Sequence, residues 1–270
     1  EKWASVILAP LLHETYLLGT HTMTIHDEVE HVQVIGHSLA LGSNSAVSGP
    51  VKVVHFVRHG QGFHNVAGAK AGLHGVACGC IGNDSSQCPY TAKEIEDADL
   101  TEQGMAEARL IRETLRERTI ERVMVSPLTR TLRTATVGLL PEIGPVPFLA
   151  VEEIREDMGV HLCNRRTPLS KLQVKFPHVD FSMIPGEEDT EFAMDRKETM
   201  SEMTARCRKF LTWLRDRPEQ EVVVVCHAAI LWVMFTTAIE IADPELCSEF
   251  RTAEVRSLVL TFPQGSCSHE

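Results

Sequence analysis

The sequence predicts a layered α/β fold built around a mostly parallel sheet. Two stretches, "VKVVHFV" from Val51 and "EVVVVC" from Glu221, are continuous apolar runs of the kind that forms strands buried on both faces. From Val51 onward, further short strands alternate with segments of helical periodicity. Such alternation is typical of a parallel sheet covered by helices, because parallel neighbours need a long crossover connection.

The elements after the first strand follow in a regular order. "LTEQGMAEARLIRETLRER" is predicted to be a helix with Thr101 as its N-cap. The apolar stripe of this helix is formed by Met105, Ala108, Ile111 and Leu115. "ERVMVS" is predicted to be a short strand, and "PLTRTLRTATVGLL" the next helix, with Pro127 in its first turn.

The second half of the chain continues the pattern. After a Gly/Pro loop, "VPFLAVEE" is predicted to be a strand. A long helix is expected from near Asp189 to Arg217, where Pro218 stops it. A helix through "AILWVMFTTAIE" follows the strand "EVVVVC", and "VRSLVLTF" is predicted to be the last strand.

Composition and charge exclude some classes of partner. Of the 270 residues, 43% are hydrophobic and 23% are charged, as in ordinary soluble globular proteins. The net charge of −11 argues against nucleic acid or an anionic membrane as the main partner, because both require a basic face. No apolar run reaches the roughly 18 to 20 residues of a membrane span. The oligomeric state is left open.

The first fifty residues differ from the remainder of the chain. We expect residues 1–50 to be an extension that ends in the Gly/Ser/Pro linker "GSNSAVSGP", and residues 51–265 to be the main domain. Five histidines of the extension lack the tight spacing of a metal site: His13, His21, His26, His31 and His37. The eight cysteines are dispersed, which favours a reduced, cytoplasmic protein, or an organellar one if a targeting segment has been removed.

Polar side chains follow four of the predicted strands. Arg58 and His59 come directly after the first strand, and His227 after "VVVVC". The other residues at strand ends are Ser126, Arg130, Arg133, Glu152, Glu153, Glu156 and Asp157. Ligands of such sheets bind beyond the carboxyl ends of the strands, so these side chains are predicted to converge on one edge.

This set of residue types is suited to phosphoryl transfer. Arginine guanidinium groups match phosphoryl oxygens bidentately. A neutral histidine is a nucleophile for phosphorus, and a second, charged histidine can donate to the phosphoryl oxygens. A carboxylic acid with a raised pKa can protonate a departing alkoxide. The sequence contains neither a Walker loop nor a metal-binding carboxylate set, so no Mg²⁺ or other cofactor is expected.

Four stretches in order, "FVRHGQGFHN", "SPLTRTLRTA", "REDMGVHLCNRR" and "VVVVCHAAIL", resemble the motifs of the histidine phosphatase (phosphoglycerate mutase-like) superfamily. The plant and fungal phosphoglycerate-mutase-like branch is the most similar, because "FPHVDFS", "EEDTEF" and "EVRSLVL" also resemble it. The resemblance covers about residues 51 to 262. It implies a three-layer α/β/α sandwich and a metal-independent phosphatase or mutase.

The resemblance also implies roles for single residues. His59 is implied to be the nucleophile, and Glu156 the proton donor and later the base that activates water. Phosphate is implied to bind to Arg58, Arg130 and His227, with Asn65 lining the pocket. Candidate substrate contacts are Gln61, Gly62, His64, Arg165 and Arg166.

Three positions depart from the family pattern. Ala228 and Ala229 stand where the family usually has glycine or serine, and two added methyl groups are expected to narrow the pocket. Asn164 replaces an aspartate before Arg165 and Arg166. Two interpretations of that arginine pair remain open, a binding site for a second anionic group of the substrate or a solvated loop.

Residues 66–96 are predicted to be an insertion that covers the site and sets specificity. Within it, "HGVACGCIGNDSSQC" leaves three alternatives open. Cys78, Cys80, Cys88 and His74 can bind zinc, although their spacing is poor for it. One of the first two cysteines can form a disulfide with Cys88, or all three can be free thiols.

The sequence favours a phosphomonoester phosphatase that acts on a small phosphorylated metabolite through a phosphohistidine on His59. Phosphoglycerate mutase activity is the alternative within enzymes, since both would use the same motifs. A protein that binds a phosphorylated ligand with weak or no turnover is the alternative of another class, suggested by Ala228 and Ala229.

Overall fold

A computed structural model describes residues 33–38, 49–73, 88–140 and 145–263. In these residues a central sheet of eight strands has the order β5-β4-β3-β6-β2-β8-β1-β7. The strands are β1 (Ile35–Ser38), β2 (Val51–Arg58), β3 (Arg122–Val125), β4 (Phe148–Ala150), β5 (Val179–Asp180), β6 (Glu221–Cys226), β7 (Glu240–Ile241) and β8 (Val255–Thr261). The helices are α1 (Phe63–Lys70), α2 (Glu102–Leu115), α3 (Thr129–Gly138), α4 (Leu169–Lys175), α5 (Met200–Arg215) and α6 (Ala228–Val233).

The sheet is mostly parallel, as predicted. Strands β5, β4, β3, β6 and β2 pair in parallel with one another, in that order. Only β8 among the described strands runs the other way, and it pairs antiparallel with both β2 and β1. The carboxyl ends of β2, β3, β4 and β6 therefore meet at one edge, where the chain places its polar residues.

Helices cover both faces of the sheet, which confirms the predicted three layers. Val222 and Val224 of β6 pack with α5 and α6 on one face. Val223 and Val225 pack with α2, α3 and α4 on the other. Because successive side chains of a strand point to opposite faces, the unbroken valine run of β6 contributes to both cores at once.

Local signals explain where the helices on these faces begin. Thr101 caps α2 by accepting from the backbone N–H of Gly104, as predicted. The helix expected from Asp189 instead begins at Met200, because Thr199 and Glu202 form a capping box there. The prediction that Pro127 lies in the first turn of its helix is wrong as well, since α3 begins at Thr129.

Two elements of the structure cross the predicted segment boundaries. Ile35–Ser38, within the predicted extension, pairs with β8 and β7 as part of the sheet. The predicted insertion 66–96 overlaps α1, which continues to Lys70. The boundaries 1–50 and 51–265 stay predictions, and four of the five histidines of the extension lie outside the described residues.

The described part of the chain contains no helix that combines the length and the apolar character of a membrane span.

Candidate active site

His59 lies directly after β2, with 1% of its surface exposed. Its Nδ1–H donates to the carbonyl oxygen of Gly60 at 2.7 Å. Burial, followed by the charges of Arg130 and Arg58, holds the pKa of His59 well below its usual range. The imidazole is therefore neutral at neutral pH, with its lone pair on Nε2, which has no hydrogen-bond partner among the described residues.

The loop after His59 is pressed against the start of α2. The N–H of Gly60 donates to Oγ1 of Thr134 at 3.1 Å. A Cβ on Gly60 would lie 2.5 Å from the carbonyl oxygen of Gly104, and one on Gly104 would lie 2.1 Å from that of Gln61. These two glycines allow close backbone packing between the loop and the helix, which fixes the position of His59.

Arg130 on α3 is fully buried, and each nitrogen of its guanidinium group has a partner. Nε donates to Nδ1 of His227 at 3.2 Å. The two terminal nitrogens donate to the carbonyl oxygen of Cys163 at 2.6 Å and to Oδ1 of Asn164 at 2.9 Å. The group is thus held in one orientation beside His59.

His227 directly follows β6, and its ring centroid lies 5.2 Å from that of His59. Since Nδ1 accepts from Arg130, the neutral ring carries its proton on Nε2 and donates to Oγ of Ser126 at 2.7 Å. Burial and then the Arg130 charge lower the pKa of His227 well below its usual range. The second histidine is therefore neutral in the ligand-free protein, and the predicted role as a charged donor to phosphoryl oxygens requires that it gain a proton.

Arg58, the last residue of β2, completes the positive side of the site. One terminal nitrogen donates to the carbonyl oxygen of Phe250 at 2.5 Å and lies 3.8 Å from the Glu249 carboxylate. Its Nε is buried, with no hydrogen-bond partner among the described residues. This donor is the kind of group that an oxygen of a bound anion can satisfy.

Glu156 lies in the loop after β4. Its carboxylate accepts from the backbone N–H groups of Ala229 and Ile230 at 3.3 and 3.2 Å, at the start of α6. Burial and then the Asp157 charge raise the pKa of Glu156 above its usual range. The carboxyl group therefore keeps its proton to higher pH than a solvated glutamate does.

The other candidates near His59 differ in what they contact. Oδ1 of Asn65 accepts from the N–H of Gly62 at 2.9 Å, while the Gln61 side chain accepts from Oγ1 of Thr101 at 2.7 Å. The ring of His64 lies 5.2 Å from that of His59. A Cβ on Gly62 would collide with the His64 ring, so this glycine makes room for the ring.

Three further arginines that were candidates for the site make their contacts with other residues. Arg165, with 44% of its side chain exposed, pairs with Glu96 at 3.3 Å. Arg166 is buried, but it donates to carbonyl oxygens of the loop 186–188, for example to Glu188 at 2.9 Å. Arg133 pairs with Asp99 at 2.9 Å. The contacts of Arg165, Arg166 and Arg133 are thus made with residues other than His59, Arg130 and His227, and the interpretation of Arg165 and Arg166 as a second anion site stays a prediction.

Two residues with unassigned roles belong to the hydrogen-bond network of the site. The sequence indicates Ser126 only by its place after β3, and its Oγ accepts from Nε2 of His227 at 2.7 Å. Asn164, noted only as a departure from the family, bridges Arg130 and Asp157: its Nδ2 donates to the backbone and carboxylate oxygens of Asp157 at 2.8 and 2.9 Å. A polar residue directly after a parallel strand was a usable signal for Ser126, but no local pattern indicates the bridge made by Asn164.

The alanines at the start of α6 do not disturb these contacts. Ala228 and Ala229 are half-buried, and the backbone of Ala229 binds Glu156. Because the contact is made by a backbone N–H, it forms with either glycine or alanine at this position.

Across the described ranges, no group of three or more His, Cys, Asp or Glu side chains is arranged to bind a metal ion. Cys88 is a buried free thiol, 3.9 Å from Nε2 of His161. Cys78, Cys80 and His74, on which the zinc and disulfide alternatives depend, lie outside the described residues.

A buried, neutral histidine at the carboxyl edge of a parallel sheet, close to two arginine charges and to a second histidine, is the arrangement that the resemblance to the histidine phosphatases implies. Residues 89–268 match the histidine phosphatase superfamily (branch 1), and the chain belongs to this superfamily. The family resemblance of the sequence motifs is therefore confirmed.

The similar proteins carry names from the same superfamily. Phosphoglycerate mutase-like protein 1 of Arabidopsis thaliana is 32% identical over 244 residues, which cover 77% of this chain and 81% of the relative. A second Arabidopsis thaliana protein, phosphoglycerate mutase-like protein, is 28% identical over 243 residues, 77% of this chain and 84% of the relative. The crystal structure of a phosphoglycerate mutase from Bacillus anthracis str. Sterne has the same fold, with a TM-score of 0.51 and 15% identity over 80% of this chain and 93% of that one.

Proposed function

We propose that this protein is a metal-independent phosphomonoesterase that acts on a small phosphorylated metabolite through a phosphohistidine on His59. The observation that carries the proposal is the state of His59, whose Nδ1–H is bound to Gly60 and whose Nε2 holds a lone pair. Arg58 and Arg130 supply positive charge close enough to lower its pKa. In this role they replace the metal ions that stabilise many other phosphoryl transfers.

In the first step, Nε2 of His59 attacks the phosphorus atom, and the bond from phosphorus to the ester oxygen breaks. Arg130 and the free Nε–H of Arg58 bind the phosphoryl oxygens, and Asn65 contributes its side-chain N–H₂ group. Glu156, whose raised pKa lets it keep its proton to higher pH than a solvated glutamate, donates that proton to the departing oxygen. The products are the free alcohol and a phosphohistidine.

In the second step, water attacks the phosphorus atom from the side that the alcohol has left. The Glu156 carboxylate accepts a proton from this water, the phosphorus–nitrogen bond breaks, and inorganic phosphate forms. A bound phosphoryl dianion favours the protonated form of His227, so the neutral ring can gain a proton as the ligand binds and donate to an oxygen.

Phosphoglycerate mutase activity is the second candidate, because the relatives are named phosphoglycerate mutase-like. A mutase must return the phosphoryl group to a hydroxyl before water reacts. The residues proposed for the two steps are the same in both activities, so product analysis has to separate them. With 3-phosphoglycerate as substrate, a phosphatase releases inorganic phosphate and a mutase forms 2-phosphoglycerate.

The proposal is tested with 4-nitrophenyl phosphate as a generic substrate, in buffer containing a chelator. We expect turnover by the purified protein, unchanged by the chelator and abolished in His59→Ala. The matched control is His55→Gln, because His55 is a buried histidine of β2, the strand that leads to His59, and it binds Ser257 and Glu221 instead. This variant is expected to keep its turnover wherever circular dichroism shows that it folds.

Three results would count against the proposal: no turnover by the folded wild-type protein, turnover that requires a metal ion, or equal turnover in His59→Ala. The first of these would favour a protein that binds a phosphorylated ligand without hydrolysing it.

A further inference from the structure

A row of rings extends from the proposed nucleophile toward the loop that carries Glu156. The ring centroid of His64 lies 5.2 Å from that of His59 and 6.5 Å from that of Tyr90. The Tyr90 ring in turn lies 5.2 Å from that of His161. His64 and His161 are buried, and Tyr90 is half-buried. We call His64, Tyr90 and His161 the ring wall.

His161, at the far end of the ring wall, is carried by the loop that also carries the proposed proton donor. His161 belongs to the same loop as Glu156, five residues further along the chain. In the proposed mechanism Glu156 protonates the oxygen of the departing alcohol, so that alcohol must lie on the Glu156 side of the phosphoryl group. The rings of Tyr90 and His161 are therefore placed to contact the alcohol part of a substrate rather than its phosphate.

The ring wall carries no charge at neutral pH. Burial, and after it the Lys197 charge, lowers the pKa of His161 to about 4. Burial and then the Arg130 charge lower the pKa of His64 well below its usual range. Neutral imidazole and phenol rings offer flat contact surfaces and single hydrogen bonds, but they do not compensate an anion.

Most cationic side chains of the neighbouring loops already have partners or are needed for phosphate, and Lys93, three residues after Tyr90, is exposed. Those with the largest effect on the pKa of His59 and His64 are Arg130 and Arg58, which the phosphoryl group would occupy. Lys197 forms an ion pair with Asp157. Further cations of the neighbouring loops are bound elsewhere: Arg155 by Asp189 and Glu152, Arg165 by Glu96, and Arg166 by carbonyl oxygens. Beyond the described residues, the sequence contains a single lysine, Lys2, and no arginine.

We propose that the substrate is a phosphomonoester of an uncharged alcohol or phenol, whose non-phosphorylated part packs against Tyr90 and His161. A substrate with a second anionic group, such as a phosphoglycerate, is disfavoured because its carboxylate would be desolvated beside neutral rings. This inference rests on the proposed phosphatase function and adds the class of substrate to it. It also separates the specificity of this chain from the activity that the names of its relatives suggest.

A matched pair of substrates tests the charge preference. Glycerol 3-phosphate and 3-phosphoglycerate differ in having a CH₂OH group or a carboxylate at the end remote from phosphate. We expect kcat/KM for glycerol 3-phosphate to be at least about tenfold higher, as is usual when a charge loses its hydration without gaining a partner. Release of inorganic phosphate is the readout for both substrates.

Variants of Tyr90 test the contact itself. With phenyl phosphate, Tyr90→Ala is expected to lower kcat/KM by about fivefold, mainly by raising KM, because an aromatic contact is lost. Tyr90→Phe keeps the ring and is expected to stay close to wild type. Competitive inhibition by inorganic phosphate should be equal in all three proteins, since Tyr90 does not bind the phosphoryl group, and this equality shows that the variants are folded.

A second matched control uses Arg165→Ala, which should leave the ratio of the two kcat/KM values unchanged. The inference is overturned if 3-phosphoglycerate is the better substrate of the pair, if Arg165→Ala lowers its turnover selectively, or if Tyr90→Ala behaves like Tyr90→Phe. Failure of the proposed function looks different, because neither substrate would then show turnover that depends on His59.

Discussion

Nε of Arg130 lies 3.2 Å from Nδ1 of His227. This contact joins α3 to the end of β6 and determines which nitrogen of the histidine carries the proton. It also places two groups that the mechanism assigns to one phosphoryl ligand within direct contact of each other. The chemistry proposed for His59 depends on this pair, and several consequences can be measured.

Replacement of Arg130 should weaken both phosphate binding and turnover. Arg130→Lys keeps the charge but loses the fork that contacts His227, Cys163 and Asn164. We expect kcat/KM for 4-nitrophenyl phosphate to fall by about 100-fold or more, as when one preorganised donor to a developing oxyanion is removed. The inhibition constant of inorganic phosphate should rise in parallel.

The control for this substitution is Arg133→Lys, one turn further along α3. Arg133 pairs with Asp99 and packs over the Phe176 ring, away from His227. The Arg133→Lys variant should therefore retain near wild-type kcat/KM. Equal losses in the two variants would show that α3 as a whole, and not Arg130, carries the effect.

Ser126→Ala should lower turnover through His227. The substitution removes the acceptor of the His227 Nε2–H, so the ring loses one of the two contacts that orient it. One neutral hydrogen bond corresponds to a decrease of about fivefold in kcat/KM. Ser257→Ala is the control, because Ser257 makes a hydrogen bond of the same 2.7 Å length to His55 elsewhere on the sheet. A change in kcat/KM in the control but not in Ser126→Ala would contradict the assignment.

Asn164→Asp should shift the pH profile of kcat. The added carboxylate would lie against Asp157, which already contributes to the raised pKa of Glu156. More negative charge raises that pKa further, so the proton donor stays protonated to higher pH and the alkaline limb of the profile moves upward. Asn164→Ala removes the same hydrogen bonds without adding charge, and its alkaline limb should not move upward. A limb that moves to lower pH in Asn164→Asp would refute the proposed role of Glu156.

His161 should make the folded protein sensitive to acid. Its pKa is lowered from 6.5 to about 4, chiefly by burial. The unfolded chain therefore binds more protons than the folded chain between these two pKa values, and stability is lost as the pH falls through that window. From about pH 7.5 to about pH 5 this histidine accounts for about 2 kcal/mol of the free energy of unfolding. Urea titrations give the free energy of unfolding of wild type and His161→Gln at each pH. The contribution of His161 is the difference between the pH dependences of these two free energies, and a difference of zero would contradict the prediction.

The layers of the fold and the centre of the site were predictable because each rests on a local pattern. The valine run of β6 has to be buried on both faces, and His59, Arg130, Glu156 and His227 follow parallel strands or begin the next helix. Side chains at such positions converge regardless of the conformation of the loops, because the carboxyl ends of parallel strands lie at the same edge of the sheet.

Other features of the site and the fold could not be predicted, because they depend on contacts between segments that are distant in the sequence. Arg165 and Arg166 looked equivalent in the sequence, yet one pairs with Glu96 and the other holds the loop 186–188. The strand Ile35–Ser38 exists because β8 offers it a partner, not because its four residues are a strong strand sequence. The position of Tyr90 beside His64 and His161 likewise follows from tertiary packing alone.

Trapping of the phosphorylated enzyme tests the central claim most directly. The protein is mixed with a ³²P-labelled phosphomonoester, quenched in alkali during turnover and digested, and the labelled peptide is sequenced. The proposed mechanism predicts label that is stable in alkali and lost in acid, on the peptide that contains His59, and no label in His59→Ala. Rapid turnover with no trapped label, or label on another residue, would contradict it.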